Sequence, residues 1–506
     1  MLRLRFKSIA KASSASVILP IIAVTAALVS CGGGGGGGGG GSTPGTSVSS
    51  SATSSSSSSS APFSGTTVSI SAGATGQTVN GWEVTARFWE FNKAGNAYDG
   101  SWLTSKDAIV DKLVVDAGIT RARIEIRSGV ENPVDYWSKF VSGQIGYLEV
   151  KSHFYEKIND NADPSSANTA GFQWASFDYY IDNFILPLKS KLASKGKPLY
   201  INLCYVDFGW TDLKGTLSHA DNASEYAELI SLAAKRLRDK YGITTDSVEI
   251  ILEPDNTDKW TGQNIGRGLL AVKSRLAADG INPKFIAPSP SAASRTVGIL
   301  DALSSVPNAD AALNVVSYHR YDGSLADPAL PFIRSRAKTL GAETQMLEYV
   351  DASTSNFFRD MEYGGASAFQ AYAVAYPAKT AEAVSNGAVL WRADDGTVSL
   401  TPQFRQIGLL QREILPGAKA RQVTISGSST DMVISFQNPD GSDVIAIFSP
   451  SGGNFQVSGA AKTSYLATYS SRSSAAYPTQ TINKGSDGNI TVSLTAEQVV
   501  LLRSTN

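Results

Sequence analysis

From Val79 onward the chain alternates short apolar runs with longer stretches in which apolar residues recur every three or four positions. The short runs are VNGWEVTARFW, ITRARIEI, PLYINLCYV, SVEIILEP, PKFIAPSP, LNVVSYHRY, TQMLEYV and GAVLWRAD. Their length and their near-continuous apolar character fit β-strands covered on both faces. Between them, ASEYAELISLAAKRLRDKYG, Ala223 to Gly242, has the i, i+3, i+4 spacing of an amphipathic helix and a glycine to stop it. Strand followed by helix, repeated eight times, predicts an α/β fold, a (β/α)8 TIM barrel with long loops over residues 79–416. A doubly wound open sheet is the alternative, but no strand is followed by a glycine-rich phosphate loop.

The pattern changes at both ends of this region. DMVISFQNPDGSDVIAIFSPSG reads as two alternating strands joined at Asn438-Pro439-Asp440-Gly441, and GNITVSLTAEQVVLLRS is strand again. Residues 417–506 are therefore expected to form a small antiparallel β-sandwich, joined by strand-like residues 66–78 from before the barrel. The N-terminus carries Arg3, Arg5, Lys7 and Lys11, then an apolar segment from Val17 to Val29 too short for a stable membrane span. Residues 1–30 thus read as an export signal, and LVSC, Leu28 to Cys31, resembles the bacterial lipoprotein box in which the cysteine is lipidated. Ten glycines, Gly32 to Gly41, and a serine-dominated stretch to Ser60 cannot bury apolar surface, so residues 31–65 are expected to be a flexible tether. Its reach is about 30 Å for a flexible chain of that length. The expectation is an exported monomer, lipid-anchored at the bacterial cell envelope on the outer-membrane surface.

Composition narrows the chemistry. Of 44 basic residues four lie in the signal, leaving 40 against 45 acidic ones and a net charge of −5, which argues against nucleic acid as a partner. With Cys31 lipidated, Cys204 is the sole remaining thiol, inside an apolar strand where it reads as a small buried hydrophobe. The three histidines, His153, His219 and His319, lack metal-ligand spacing, and no G-x-S-x-G nucleophile elbow occurs.

Carboxylates at strand ends remain. VEIILEPDNTDKW, Val248 to Trp260, is an aliphatic strand that ends in Glu253 against a proline, and TQMLEYV ends in Glu348. A lone buried carboxylate costs several kcal/mol unless paired, so each glutamate needs a partner or a task. In a (β/α)8 barrel the C-terminal strand ends face the active site. The fourth and seventh strands lie across the mouth from each other, and two converging carboxylates suit glycosidic bond cleavage.

The glutamate-proline pair on the fourth strand, glutamate-tyrosine on the seventh, SYHRY on the sixth and VLWRADDG on the eighth resemble the retaining glycoside hydrolases of clan A. GQTVNGWEVTARFW and FQNPDGSDVIAIFSPSG are similar to the opening strand and β-sandwich of its family 30. The resemblance implies a glycosidase that uses no metal or organic cofactor, with Glu253 as general acid/base and Glu348 as nucleophile. It implies that Arg123 keeps Glu348 ionised, that His319 and Tyr321 border the nucleophile, and that Trp391 and Trp82 form a sugar-stacking floor. Tyr205, Phe208, Trp210 and Trp260 stand near strand ends and could extend a cleft for a polymeric carbohydrate. The clan places asparagine before the acid/base, whereas Leu252 stands here, so a non-catalytic carbohydrate-binding lipoprotein is the rival reading. Residues 130–175 are expected to wall the cleft.

Overall fold

The strand Arg121–Arg127 shows how the sequence sets the two faces of the sheet. Ala122, Ile124 and Ile126 point outward into the main apolar core, while Arg121, Arg123 and Glu125 point toward the barrel axis and find polar partners there. In the computed structural model, residues 63–505 are described apart from 93–94, 385–386 and 428–429. The signal and most of the tether read in residues 1–62, with Cys31, lie outside the described residues. Among the described residues no helix is long and apolar enough to cross a membrane.

Eight parallel strands close into a barrel: Gly81–Thr85, Arg121–Arg127, Tyr200–Val206, Ser247–Glu249, Lys284–Pro288, Val315–His319, Glu343–Glu348 and Ala366–Phe369. Helices between successive strands bury their apolar faces against its outside. Ala223–Tyr241 is typical: Asn222 caps it through the Glu225 amide, Gly242 ends it in the left-handed region at φ 59°, and Leu229, Ile230, Ala233 and Leu237 enter the core.

The barrel interior is more polar than the usual layers of Val, Ile and Leu. Arg121 donates to Glu83 and Gln345, and Asn202 donates to Glu83 and Glu249, all of them buried. Ile286, Val315 and Leu347 form a small apolar cluster among them.

The segment GAVLWRAD, expected as the eighth strand, lies outside the barrel. Leu390–Arg392 is the middle strand of a separate three-stranded sheet, between Ala375–Pro377 and Val398–Leu400. Ala366–Phe369, four residues with mostly small side chains, closes the barrel instead. The reason is local: after Phe369 the chain runs on beside the first strand, with Thr85 N donating to Tyr372 O (2.8 Å). Val389 and Leu390 then pair with Ala373 and Val374, so their apolar run is buried in an extension of the wall.

The C-terminal strands form two sheets, one of four and one of six strands. Thr66–Ile70 sits inside the four-stranded sheet, antiparallel to Val423–Ser426 and parallel to Gly453–Ser458. Met432–Gln437 and Asp443–Ser449 are a hairpin in the six-stranded sheet. One face of that sheet, with Ile434, Phe436, Ala446, Phe448 and Leu501, joins the barrel core. Its other face, with Val433, Ile445, Ile447 and Val500, packs on the four-stranded sheet. The helix Pro402–Glu413 is held at this junction, Gln406 accepting from Thr354 (2.7 Å) and donating to the carbonyl of Glu497 (2.8 Å).

Candidate active site

Neither strand-end glutamate reaches the barrel mouth by regular geometry. On the seventh strand Gln345 and Leu347 face the axis and Met346 faces the helices, so simple alternation would turn Glu348 outward. A bulge intervenes: Met346 pairs with Tyr318, and Glu348 with the very next residue, His319. The extra residue re-aims Glu348 over the axis, as bulges beside functional sites commonly do. Glu253 is aimed differently. It follows the fourth strand by four residues and adopts φ 47°, ψ 64°, a left-handed conformation that costs a non-glycine residue about 1–2 kcal/mol. Its amide donates to Ser289 O (2.9 Å), and Asp255 just beyond accepts from the Ser291 amide (2.8 Å) and hydroxyl (2.7 Å), holding the turn.

The two carboxylates and His319 converge, each offering an atom within 4.8 Å of the others. Arg123, fully buried on the second strand, donates to Glu348 Oε2 and to Leu347 O (3.1 Å), and Tyr321 OH donates to Glu348 Oε1 (2.9 Å). Glu253 Oε2 accepts from Asn256 Nδ2 (2.7 Å), and Oε1 lies 2.9 Å from His319 Nδ1. Although this trio has metal-ligand spacing, the Arg123 guanidinium already supplies the positive charge, and all four carboxylate oxygens have protein partners.

Electrostatics separate the two glutamates. Burial pushes the Glu253 carboxyl up to about 7, with the Asn256 hydrogen bond pulling down and the Asp255 charge pushing further up. Burial also pushes Glu348 up, against the opposing pull of Arg123. Only Glu348 touches a guanidinium, so it is the member of the pair that loses its proton first. Burial holds the His319 imidazole below its usual range and therefore neutral at pH 7. A protonated carboxyl facing an ionised one is the arrangement that acid-assisted nucleophilic displacement requires.

The remaining expected site residues divide. Trp82 is fully buried on the outward face of the first strand, packed on Phe357 with its indole nitrogen donating to Ile414 O (2.9 Å), so it cannot stack on a sugar. Tyr205 is likewise fully buried, its hydroxyl 2.7 Å from His219 Nδ1. Trp260 packs on Tyr205 and Tyr226 and donates to Asp207 (3.2 Å). Trp391 belongs to the three-stranded sheet beside the barrel, not to the eighth strand. Trp210 is 51% exposed on the loop after the third strand, edge-on to Tyr155 and beneath Lys151, beside the half-buried Phe208. Cys204 is a buried free thiol, and burial pushes its pKa well up.

Sequence reading missed several members. Asn256 stands three residues past Glu253, within the quoted motif. Glu125 accepts from Arg123 (3.4 Å) and approaches Arg87 (3.7 Å), extending the charged lining. Tyr372, whose ring centre lies 5.8 Å from the Arg123 guanidinium, was hidden by the misplaced eighth strand. Leu252 joins Trp137, Phe140, Val150, Phe154, Cys204 and Val206 in an apolar cluster, so its side chain roots the 130–175 excursion onto the barrel top.

A closed (β/α)8 barrel with a terminal β-sandwich, and with buried glutamates converging from the fourth and seventh strands, has the fold of family 30 and other clan A glycoside hydrolases. No protein-family model matches the sequence, and no curated protein does. Among solved structures, the catalytic domain of a family 30 xylanase C from Talaromyces cellulolyticus superposes with a TM-score of 0.60 at 17% identity, over 87% of this chain and 100% of that one. A family 30 endoxylanase from Clostridium papyrosolvens gives 0.60 and 17%, over 88% and 100%. An endo-β1,6-glucanase gives 0.57 and 14%, over 86% and 93%.

Proposed function

We propose that this protein is a retaining glycoside hydrolase that cleaves β-glycosidic bonds in a polysaccharide or large oligosaccharide while tethered to the cell envelope. The observation that carries the reading is the carboxylate pair: an oxygen from each of Glu253 and Glu348 within 4.8 Å, Arg123 on Glu348, and Glu253 raised to about 7. Retaining enzymes hold their two carboxyl groups about 5–5.5 Å apart and inverting ones about 6.5–9.5 Å, and the close approach here favours retention.

In the first step Glu348 attacks the anomeric carbon as the bond to the departing oxygen breaks, and Glu253 gives that oxygen its proton. In the second, Glu253 takes a proton from water, the resulting hydroxide bonds to the anomeric carbon, and Glu348 leaves as carboxylate. Tyr321 and Arg123 hold one oxygen each of Glu348 in both steps, and Asn256 orients Glu253. The solved relatives in fold include xylanases and a β1,6-glucanase, so a β-linked glycan is the favoured class. Leu252 cannot hydrogen-bond a sugar hydroxyl, which sets this site apart from the asparagine-bearing pattern.

Incubation with a panel of β-glycans, read as reducing-end release, tests the function. Turnover on at least one member is expected. Binding without release from any glycan would favour the non-catalytic carbohydrate-binding reading. The tether has its own test: Cys31→Ser should move the protein from the membrane to the soluble fraction with activity intact, and persistent membrane attachment would reject lipidation.

A further inference from the structure

A second group of carboxylates lies away from the catalytic pair. Glu131, just past the end of the second barrel strand, Asp160, in the excursion that follows, and Glu225, in the first turn of the helix after the third strand, each place a carboxylate oxygen within 4.8 Å of the others. Glu131 is 1% exposed and Glu225 2% exposed. A cluster of acids held this way is normally matched by donors or cations, because buried like charges repel and each buried oxygen needs a partner.

Part of the matching is present. Glu131 Oε2 lies 2.7 Å from His219 Nε2, Asp160 Oδ2 accepts from Asn161 Nδ2 (2.8 Å) and the Asn168 amide, and Glu225 Oε1 accepts from Asn159 Nδ2 at 3.5 Å. The other oxygen of each acid, Glu131 Oε1, Asp160 Oδ1 and Glu225 Oε2, meets no hydrogen-bond donor among the described residues, and neither does Asn159 Oδ1 beside them. Among the described residues no lysine or arginine forms an ion pair with any of the three. Lys157 is engaged with Asp207 (2.6 Å) and Arg275 with Glu228 (3.5 Å). Glu228, also buried, stands one turn along the helix from Glu225, and its Oε2 likewise meets no hydrogen-bond donor among the described residues.

We propose that Glu131, Asp160 and Glu225, with the Asn159 amide oxygen, form a calcium-binding site that pins the 130–175 excursion to the barrel. The donors are all oxygens, and both nitrogens of His219 are occupied by Glu131 and Tyr205, which disfavours zinc. Calcium accepts six to eight oxygens in irregular arrangements at 2.3–2.6 Å, so its opposite ligands stand about 4.6–5.2 Å apart, a span that accommodates this spacing. Magnesium demands a tighter octahedron. The ion joins the excursion after the second strand to the first turn of the helix after the third. Through Glu131, His219 and Tyr205 it also reaches the third strand itself.

The test is independent of catalysis. The full chain, stripped with a chelator, is titrated calorimetrically with calcium chloride and melted with calcium, with magnesium and with neither. One calcium per chain is expected, with Tm raised by about 2–4 °C at one hundred times the Kd and a smaller response to magnesium. Asp160→Asn, at a partly exposed position where the fold tolerates an isostere, should weaken calcium binding at least 10-fold, and Glu225→Gln should do the same. No heat and no Tm shift at about 10 mM calcium, well above the Kd of weak extracellular sites, would overturn the proposal. So would unchanged calcium affinity in both variants, and an equal response to magnesium would overturn the choice of ion.

Discussion

Glu348→Ala should lower kcat/KM by at least about 10⁴-fold, roughly 5.5 kcal/mol of transition-state stabilisation, for every substrate whatever its leaving group. The substitution removes the attacking oxygen, and nothing else on the seventh strand can replace it: Leu347 packs in the barrel interior and Tyr349 lies beyond the bulge. It also deprives the buried Arg123 of its closer carboxylate partner and leaves only the longer contact to Glu125, so the fold should be checked by its melting profile. A sound fold with nearly unchanged kcat/KM would remove Glu348 from the chemistry.

Glu253→Ala should behave differently with different leaving groups. A poor leaving group needs a proton, so kcat/KM on a glycan should fall by about 10²–10⁴-fold, the range for loss of a general acid. An activated phenol leaves without help, so the glycosyl-enzyme should still form and then accumulate after a burst, because the base that deprotonates water is missing. Azide needs no base, so it should restore turnover with retained configuration. The pH profile carries the same assignment. Glu253 acts while protonated, so wild-type kcat/KM on a glycan should decline as pH rises through about 7, and this alkaline limb should be absent from the variant acting on an activated phenol. A limb that persists in Glu253→Ala would assign the titration to another group.

The positions of both glutamates were legible because strand length and the polar residue ending an aliphatic run locate the barrel mouth. How they are aimed was not. Alternation turns Glu348 outward until the bulge at Leu347 is seen, and no residue type in TQMLEYV announces a bulge. The left-handed turn at Glu253 is equally silent, since a glutamate before a proline favours extended backbone. The eighth strand was misplaced because ASAF offers three small residues, one phenylalanine and no period, whereas GAVLWRAD has the apolar run of a strand and is one, in a neighbouring sheet. Trp82 was assigned to the cleft from the family resemblance and Tyr205 from its place near a strand end. Strand parity corrects both: Glu83 and Cys204 beside them face the axis, which turns each aromatic toward the helices. The oxygen cluster of Glu131, Asp160 and Glu225 left no trace in sequence spacing, because it is assembled from distant points of one excursion and a helix that only the barrel brings together.

The central claim, that Glu348 is the nucleophile of a double displacement with Glu253 as its acid/base, is tested most directly by trapping the covalent intermediate. The enzyme is treated with an activated 2-deoxy-2-fluoro β-glycoside of the sugar identified by the glycan panel, digested, and mapped by mass spectrometry. One sugar per chain is expected, on the peptide that contains Glu348. A sugar on Glu253, or no adduct from a substrate that the enzyme turns over with inverted configuration, would contradict it.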